Sequence, residues 1–153
     1  MELSPETIRD RLDNWPVARL ATIGEAGCPH QVPIVFALVG ECLWSPVDGK
    51  PKTGGELARV RNIRARPDVG LLLDECTSDW KRLWWIRIEG KARVVQPGVP
   101  QEDASFLEAL EALREKYPQY GTVPLVQSPP TLLAFDSLQI RSWCASSTAT
   151  TPQ

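Results

Sequence analysis

The residues best suited to do chemistry lie between Ser45 and Arg66. A phosphate is held by backbone N–H donors, hydroxyls, fixed positive charge and a backbone that can come close. Thr53, Gly54 and Gly55, just ahead of a helical segment, offer the donors, the hydroxyl and the close approach, while Lys50 and Lys52 offer the charge. From Lys50 to Arg66 six basic residues (Lys50, Lys52, Arg59, Arg61, Arg64, Arg66) face one acid, Glu56, so this stretch carries +5 in a chain of net charge −2. A basic island in an otherwise acidic protein points to a small anionic ligand, since a nucleic-acid duplex requires a wider basic face. On the helix, Arg59, Asn62 and Arg66 share a face, which lets Arg59 point back toward the loop. Neither a Walker motif nor a dinucleotide fingerprint is present. The same residues also read as a solvated basic helix beside a flexible loop.

A second candidate is the run Gln31–Val39, which is apolar at successive positions instead of alternating. Such a strand is central to a barrel or has a ligand on its second face. A ring such as an isoalloxazine needs a flat apolar wall with backbone groups at one edge, and Pro33 marks a bulge or a sheet edge there. Trp80, Trp84, Trp85 and Trp143 could line a cofactor or a subunit interface, although tryptophan is ordinarily core and Trp84 is read so. His30 is the only histidine, which leaves no Ser/His/Asp or Cys/His arrangement and no persuasive hydrolase. Cys28, Cys42, Cys76 and Cys144 are scattered, without a C-x-x-C pair, as in a reduced cytosolic protein, and no metal site is expected.

The elements that must position these residues follow from the pattern of the 153-residue chain. Ser4 caps a first helix, with Pro5 at its first position, Glu6 at its positive end, a Leu3–Ile8 staple and Pro16 as its stop. Strands are expected over residues 17–23, 31–39 and 42–45, joined by tight turns, then a helix over 56–65 and a strand over 69–74. The clearest alternation is Trp84–Val95, where Trp84, Ile86, Ile88, Ala92 and Val94 face one way and Arg87, Glu89, Lys91 and Arg93 the other. A third helix over 102–116 carries Phe106, Leu110, Leu113 and Tyr117 on one stripe, and a last strand covers 131–143. The fold expected is mainly β, a six-stranded antiparallel barrel with helical decorations. One domain spans residues 1–145, followed by a disordered tail at 146–153 that is rich in Ser and Thr and has no charge. The longest apolar stretch is too short to span a bilayer and the acidic N-terminus does not read as a signal peptide, so a cytoplasmic protein with no membrane partner is expected.

Taken together, these segments resemble the pyridoxamine-5′-phosphate-oxidase-like split barrels of the FMN-binding type. Val-Ala-Arg-Leu-Ala-Thr-Ile-Gly-Glu-Ala-Gly-Cys-Pro-His (17–30), followed by Val32-Pro33-Ile34-Val35-Phe36, resembles that family's opening hairpin and next strand. Arg61-Asn62-Ile63 with Pro67-Asp68-Val69, and Asp74 to Trp80 with Trp84 to Ala92, resemble its later blocks in order. The run Ser45-Pro-Val-Asp-Gly-Lys-Pro-Lys is similar to members that use coenzyme F-420 (8-hydroxy-5-deazaflavin), with FMN as the alternative cofactor. The resemblance implies a homodimer with cofactor sites at the subunit interface and a hydride-transferring oxidoreductase acting on a small molecule. It implies that Lys52 and Arg59 hold the cofactor phosphate, with Lys50 added from its place in the loop. Pro33, Ile34 and Val35, and Ser45, Pro46 and Val47, are implied beside the ring, and Trp143 on the last strand is a candidate to reach the partner's site. The loop departs from the family in its extra Gly54-Gly55, and no counterpart exists of the C-terminal arginine motif of true pyridoxamine-phosphate oxidases, which argues against vitamin B6 as substrate. A non-catalytic carrier of cofactor or haem on the same barrel is the reading from a different functional class. No catalytic residue is assigned, because the cofactor carries the chemistry.

Overall fold

The computed structural model describes residues 1–47, 55–126 and 128–146. Helix α1 (Pro5–Asn14) starts as its residues dictate: the Ser4 hydroxyl accepts the Thr7 N–H at 3.2 Å, and Leu3 and Ile8 pack together on the core. Seven antiparallel strands follow in one sheet: β1 (Ala18–Ile23), β2 (Pro29–Ile34), β3 (Ala37–Val39), β4 (Cys42–Pro46), β5 (Asp68–Glu75), β6 (Trp84–Val95) and β7 (Leu132–Cys144). Helix α2 (Ala58–Ala65) precedes β5, and helix α3 (Pro100–Lys116) lies between β6 and β7. The order across the sheet is β2-β1-β5-β6-β7-β4-β3.

The expected six strands are therefore corrected to seven, in one sheet that is split along a seam. The run expected as one strand, 31–39, is two: β2 pairs with β1 at one edge of the sheet, and β3 pairs with β4 at the other. Only Val35 and Phe36 separate them. A trans chain advances at most roughly 3.3–3.6 Å per residue, so this link draws the two edges to within about 11 Å of each other. No ladder joins β2 to β3, and the sheet curls into a barrel split along that line. The absence of alternation has the same origin. Phe36 and Leu38 face the barrel interior, while Val35, Ala37 and Val39 face the cluster under α3. The second apolar face is thus taken largely by a helix, and Pro33 sits on an edge strand where a missing N–H is tolerated.

Two cores result. The barrel interior packs Leu20, Phe36, Leu71, Ile86, Ile88 and Phe135, with Val60 and Ile63 of α2 against them. Outside the barrel, Phe106, Leu110, Leu113 and Tyr117 form the stripe expected for α3, against Trp44 and Leu132. In β6 the alternation holds to Val94, with Trp84, Ile86, Ile88, Ala92 and Val94 on the barrel core, while the register to β7 shifts between Glu89 and Lys91. Gly90 is required at that bulge, since a Cβ there would stand 2.8 Å from the Asp136 carbonyl oxygen. Ser146, first residue of the expected tail, donates its hydroxyl to the Lys81 carbonyl at 2.7 Å, and residues 147–153 lie outside those described.

The switch at Phe36 leaves backbone groups that neither edge ladder can take. The Tyr117 hydroxyl supplies the partner: it accepts the Phe36 N–H at 3.1 Å and donates toward the Phe36 and Pro16 carbonyls at 2.9 and 3.0 Å. Left unmet, each such buried group costs about 1–3 kcal/mol. Burial pushes the Tyr117 phenol up to about 12, which keeps it neutral and able to donate. Beside it, the Lys116 ammonium donates to the Leu12 carbonyl at 3.1 Å and stands 3.7 Å from the centre of the Phe36 ring. Burial lowers its pKa from 10.5 to about 8, opposed by Asp13. Below pH 8 the lysine is charged in both states and its desolvation works against folding. Between about 8 and 10.5 the unfolded chain binds more protons than the folded one, so this group's contribution to stability rises with pH. The stability of the native protein relative to Lys116→Met is expected to increase from pH 7 to pH 10, measured by urea unfolding at both. A difference that stays constant contradicts this, because Tyr117 is present in both proteins and cancels.

Candidate functional site

A half-open cavity of about 170 Å³ opens where β2 leaves the sheet edge. Pro33, Ile34 and Val35 form one wall, and Ser45 and Pro46 of β4 another. Val17, just ahead of β1, and Tyr120, in a short 3₁₀ turn at Pro118–Gly121, complete the lining with the Arg59 side chain of α2. The edge switch is what brings these together: β2 and β4 belong to opposite ends of the sheet and meet only because the link at Val35–Phe36 joins the edges.

The polar content is small and one-sided. Ser45 is 1% exposed, and its hydroxyl has no hydrogen-bond partner among the described residues. A buried hydroxyl on a cavity wall is a donor and acceptor held ready for a bound group, since buried polar atoms otherwise find partners in the fold. Arg59 stands in the first turn of α2, where the helix dipole adds to its charge, and Leu57 supplies no side-chain cap there. Among the described residues, no carboxylate lines the cavity. The one acid of the basic island, Glu56, is ion-paired with Arg64, and Arg61 donates to the Glu56 carbonyl at 3.5 Å. Glu56 thus engages Arg64 and Arg61, and Arg59 lines the cavity. Asn62, which shares a helix face with Arg59, is buried and donates to the Thr22 hydroxyl at 3.0 Å, so it fastens α2 to β1. Arg66 is exposed.

Of the residues singled out from the sequence, Pro33, Ile34, Val35, Ser45, Pro46 and Arg59 line this one cavity. Val47 does not: it is fully buried in the barrel core and its N–H donates to the Thr131 carbonyl at 3.0 Å. Lys50, Lys52 and Thr53 lie outside the described residues. Trp143 is 39% exposed on β7 and lines a different groove, of about 370 Å³, with Trp85, Arg87 and Cys76. It does not meet the cavity of its own chain. Trp84 is core, 1% exposed and edge-on to Trp15 with ring centres 4.6 Å apart. His30 lies on β2 opposite Thr22 and is not among the lining residues. Val17 opens the 17–30 block without being among the site residues expected from it, and Tyr120 carries no motif. The only sequence signal for Tyr120 is its position three residues after the stripe residue Tyr117, with the rings edge-to-face at 6.2 Å.

Among the described residues, no group of three or more His, Cys, Asp or Glu could hold a metal ion, and no helix is long and apolar enough to cross a membrane. A family profile described as pyridoxamine 5′-phosphate oxidase matches residues 4–144. The chain belongs to that family. No curated protein matches it by sequence. Among solved structures it is similar to a conserved hypothetical protein of Mycobacterium tuberculosis, at 20% identity and TM-score 0.72 over 99% of this chain and 90% of that one. It is also similar to an F420 reductase, at 20% identity and TM-score 0.57 over 86% of this chain and 94% of that one. A third likeness is to HutZ, the haem storage protein of Vibrio cholerae, at 16% identity and TM-score 0.61 over 92% and 96%. At these identities the likenesses show a shared fold, the split barrel of the pyridoxamine 5′-phosphate oxidase family.

Proposed function

We propose that this chain is a deazaflavin-dependent oxidoreductase that binds coenzyme F-420 at the Ser45–Arg59 cavity and acts on a small unsaturated molecule. The observation that carries the reading is the pairing in one cavity of an aliphatic and proline wall with the buried Ser45 hydroxyl and the Arg59 guanidinium. A heterocyclic ring with a phosphorylated side chain has those same parts. The wall at Pro33–Val35 receives the flat apolar ring. Ser45 hydrogen-bonds a polar ring edge, and Arg59 binds phosphate oxygens. When bound, the cofactor supplies hydride transfer at its deazaflavin ring, and the protein's share is orientation and exclusion of water. FMN is the alternative that the same parts accommodate. The basic segment from Lys50 to Arg66 favours the longer anion, because the F-420 tail continues past its phosphodiester into several carboxylates.

The cavity is small for such a ligand. Pockets that enclose a drug-sized molecule run about 300–1,000 Å³, against about 170 Å³ here. The remainder of the ligand must be covered from outside the described residues, and a second copy of the chain is the cover this reading adopts. The outer sheet face supports it: Trp143 is 39% exposed there, on the strand expected to reach a partner. Sedimentation at micromolar concentration is expected to show a dimer, and a monomer with cofactor bound removes this part of the proposal.

Titration with coenzyme F-420 and with FMN tests the whole. F-420 is expected to bind more tightly at low salt, with the gap narrowing at high salt as exposed tail contacts are screened. Arg59→Ala is expected to cost roughly 1.5–3 kcal/mol of binding, and Ser45→Ala about 1 kcal/mol. Equal affinities, or tighter FMN binding at low salt, promote FMN. Unchanged affinity in both variants removes the cavity as the binding site.

A further inference from the structure

Behind the cavity, and absent from its lining, stands Tyr117. Its residue is 7% exposed, and its hydroxyl touches the backbone of two chain segments at the points where each becomes cavity wall. Phe36, whose N–H and carbonyl it meets at 3.1 and 2.9 Å, is followed backward along the chain by the wall residue Val35. Pro16, whose carbonyl it meets at 3.0 Å, is followed forward by the wall residue Val17. The third wall element, Tyr120, packs on the Tyr117 ring edge-to-face, at an interplanar angle of 73°. A phenol has one proton and two lone pairs. One lone pair takes the Phe36 N–H and the proton is shared between two carbonyls, so this single hydroxyl spends its capacity on the backbone around the cavity. Lys116, the preceding residue, covers the Phe36 ring from the other side at 3.7 Å. Phe36 is fully buried, and no strand ladder is assigned to it.

We infer that Tyr117 is the positioning residue of the cavity: its hydroxyl fixes where Val35 and Val17 stand, so that ligand affinity depends on a group that does not line the site. The inference rests on the cofactor reading for the identity of the probe and not for its geometry. Removing the hydroxyl leaves the ring in place and frees the Phe36 and Pro16 backbone groups. The walls on either side then relax independently, and a ligand must bear the cost of re-ordering them.

The test compares Tyr117→Phe with Leu113→Ala, a truncation in the same cluster under α3 at a residue that is fully buried and absent from the lining. Both are measured by urea unfolding, by titration with coenzyme F-420 under conditions where each is folded, and by methyl NMR of Val17 and Val35 without ligand. Tyr117→Phe is expected to lose affinity by about tenfold and to move both valine methyl signals. Leu113→Ala is expected to lose at least as much stability while keeping native affinity and methyl positions. Affinity within twofold of native in Tyr117→Phe, or parallel losses in the two variants, overturns the inference. Should the native protein bind neither F-420 nor FMN, the cofactor reading fails and the methyl signals still decide: unmoved Val17 and Val35 resonances in Tyr117→Phe overturn the positioning role, and shifts specific to that variant uphold it.

Discussion

Two residues, Val35 and Phe36, connect the two outermost strands of a seven-stranded sheet, and the rest of the structure is arranged around that constraint. An open sheet of this size twists and leaves two edges far apart. Here a covalent link too short for any other shape forces the edges together, and the barrel has a seam instead of a closing ladder. A seam exposes backbone groups that a ladder would have paired. The cost is met by one phenol from a helix that sits outside the barrel, with Phe36 itself inserted into the interior core. Tertiary packing and backbone satisfaction are thus the same event: α3 cannot bury its stripe without presenting Tyr117 to the seam.

The candidate site is a by-product of this geometry. Because β2 is one edge of the sheet and β4 lies beside the other, their residues Ile34 and Ser45 approach only at the seam, and the space between them is roofed by α2 and the turn after α3. Its walls are prolines and branched aliphatics, and among the described residues its charged lining group is the Arg59 guanidinium at the start of a helix. Solved structures of the same fold are described as an F420 reductase and as a haem storage protein, so the fold by itself does not fix the ligand.

Much of the frame was legible in the sequence, and for stated reasons. The cap at Ser4, the alternation from Trp84 to Val94 and the stripe from Phe106 to Tyr117 are local patterns, and local patterns survive tertiary context. The strand switch was not legible. A continuous apolar run reads as one strand, and nothing within Gln31–Val39 reveals that its two halves pair at opposite ends of the sheet. Val47 does not line the cavity: strand alternation would keep it on the side of Ser45, but it lies past the end of β4 and turns into the barrel core. Tyr120 and Val17 reach the site through the fold alone. Trp143 shows the converse, a residue with chemical promise that its own chain directs to another face.

The central claim is that the seam at Val35–Phe36 builds the place where the cofactor binds. Amide NMR during titration of the isotope-labelled protein with coenzyme F-420 addresses it residue by residue. The account predicts that the largest shifts fall on Val35, Phe36, Ser45, Arg59 and Tyr120, the residues of the cavity and its corner. Shifts confined to the groove between α1 and β7, at Ile8, Leu38 and Ile140, with the cavity amides unmoved, would contradict it.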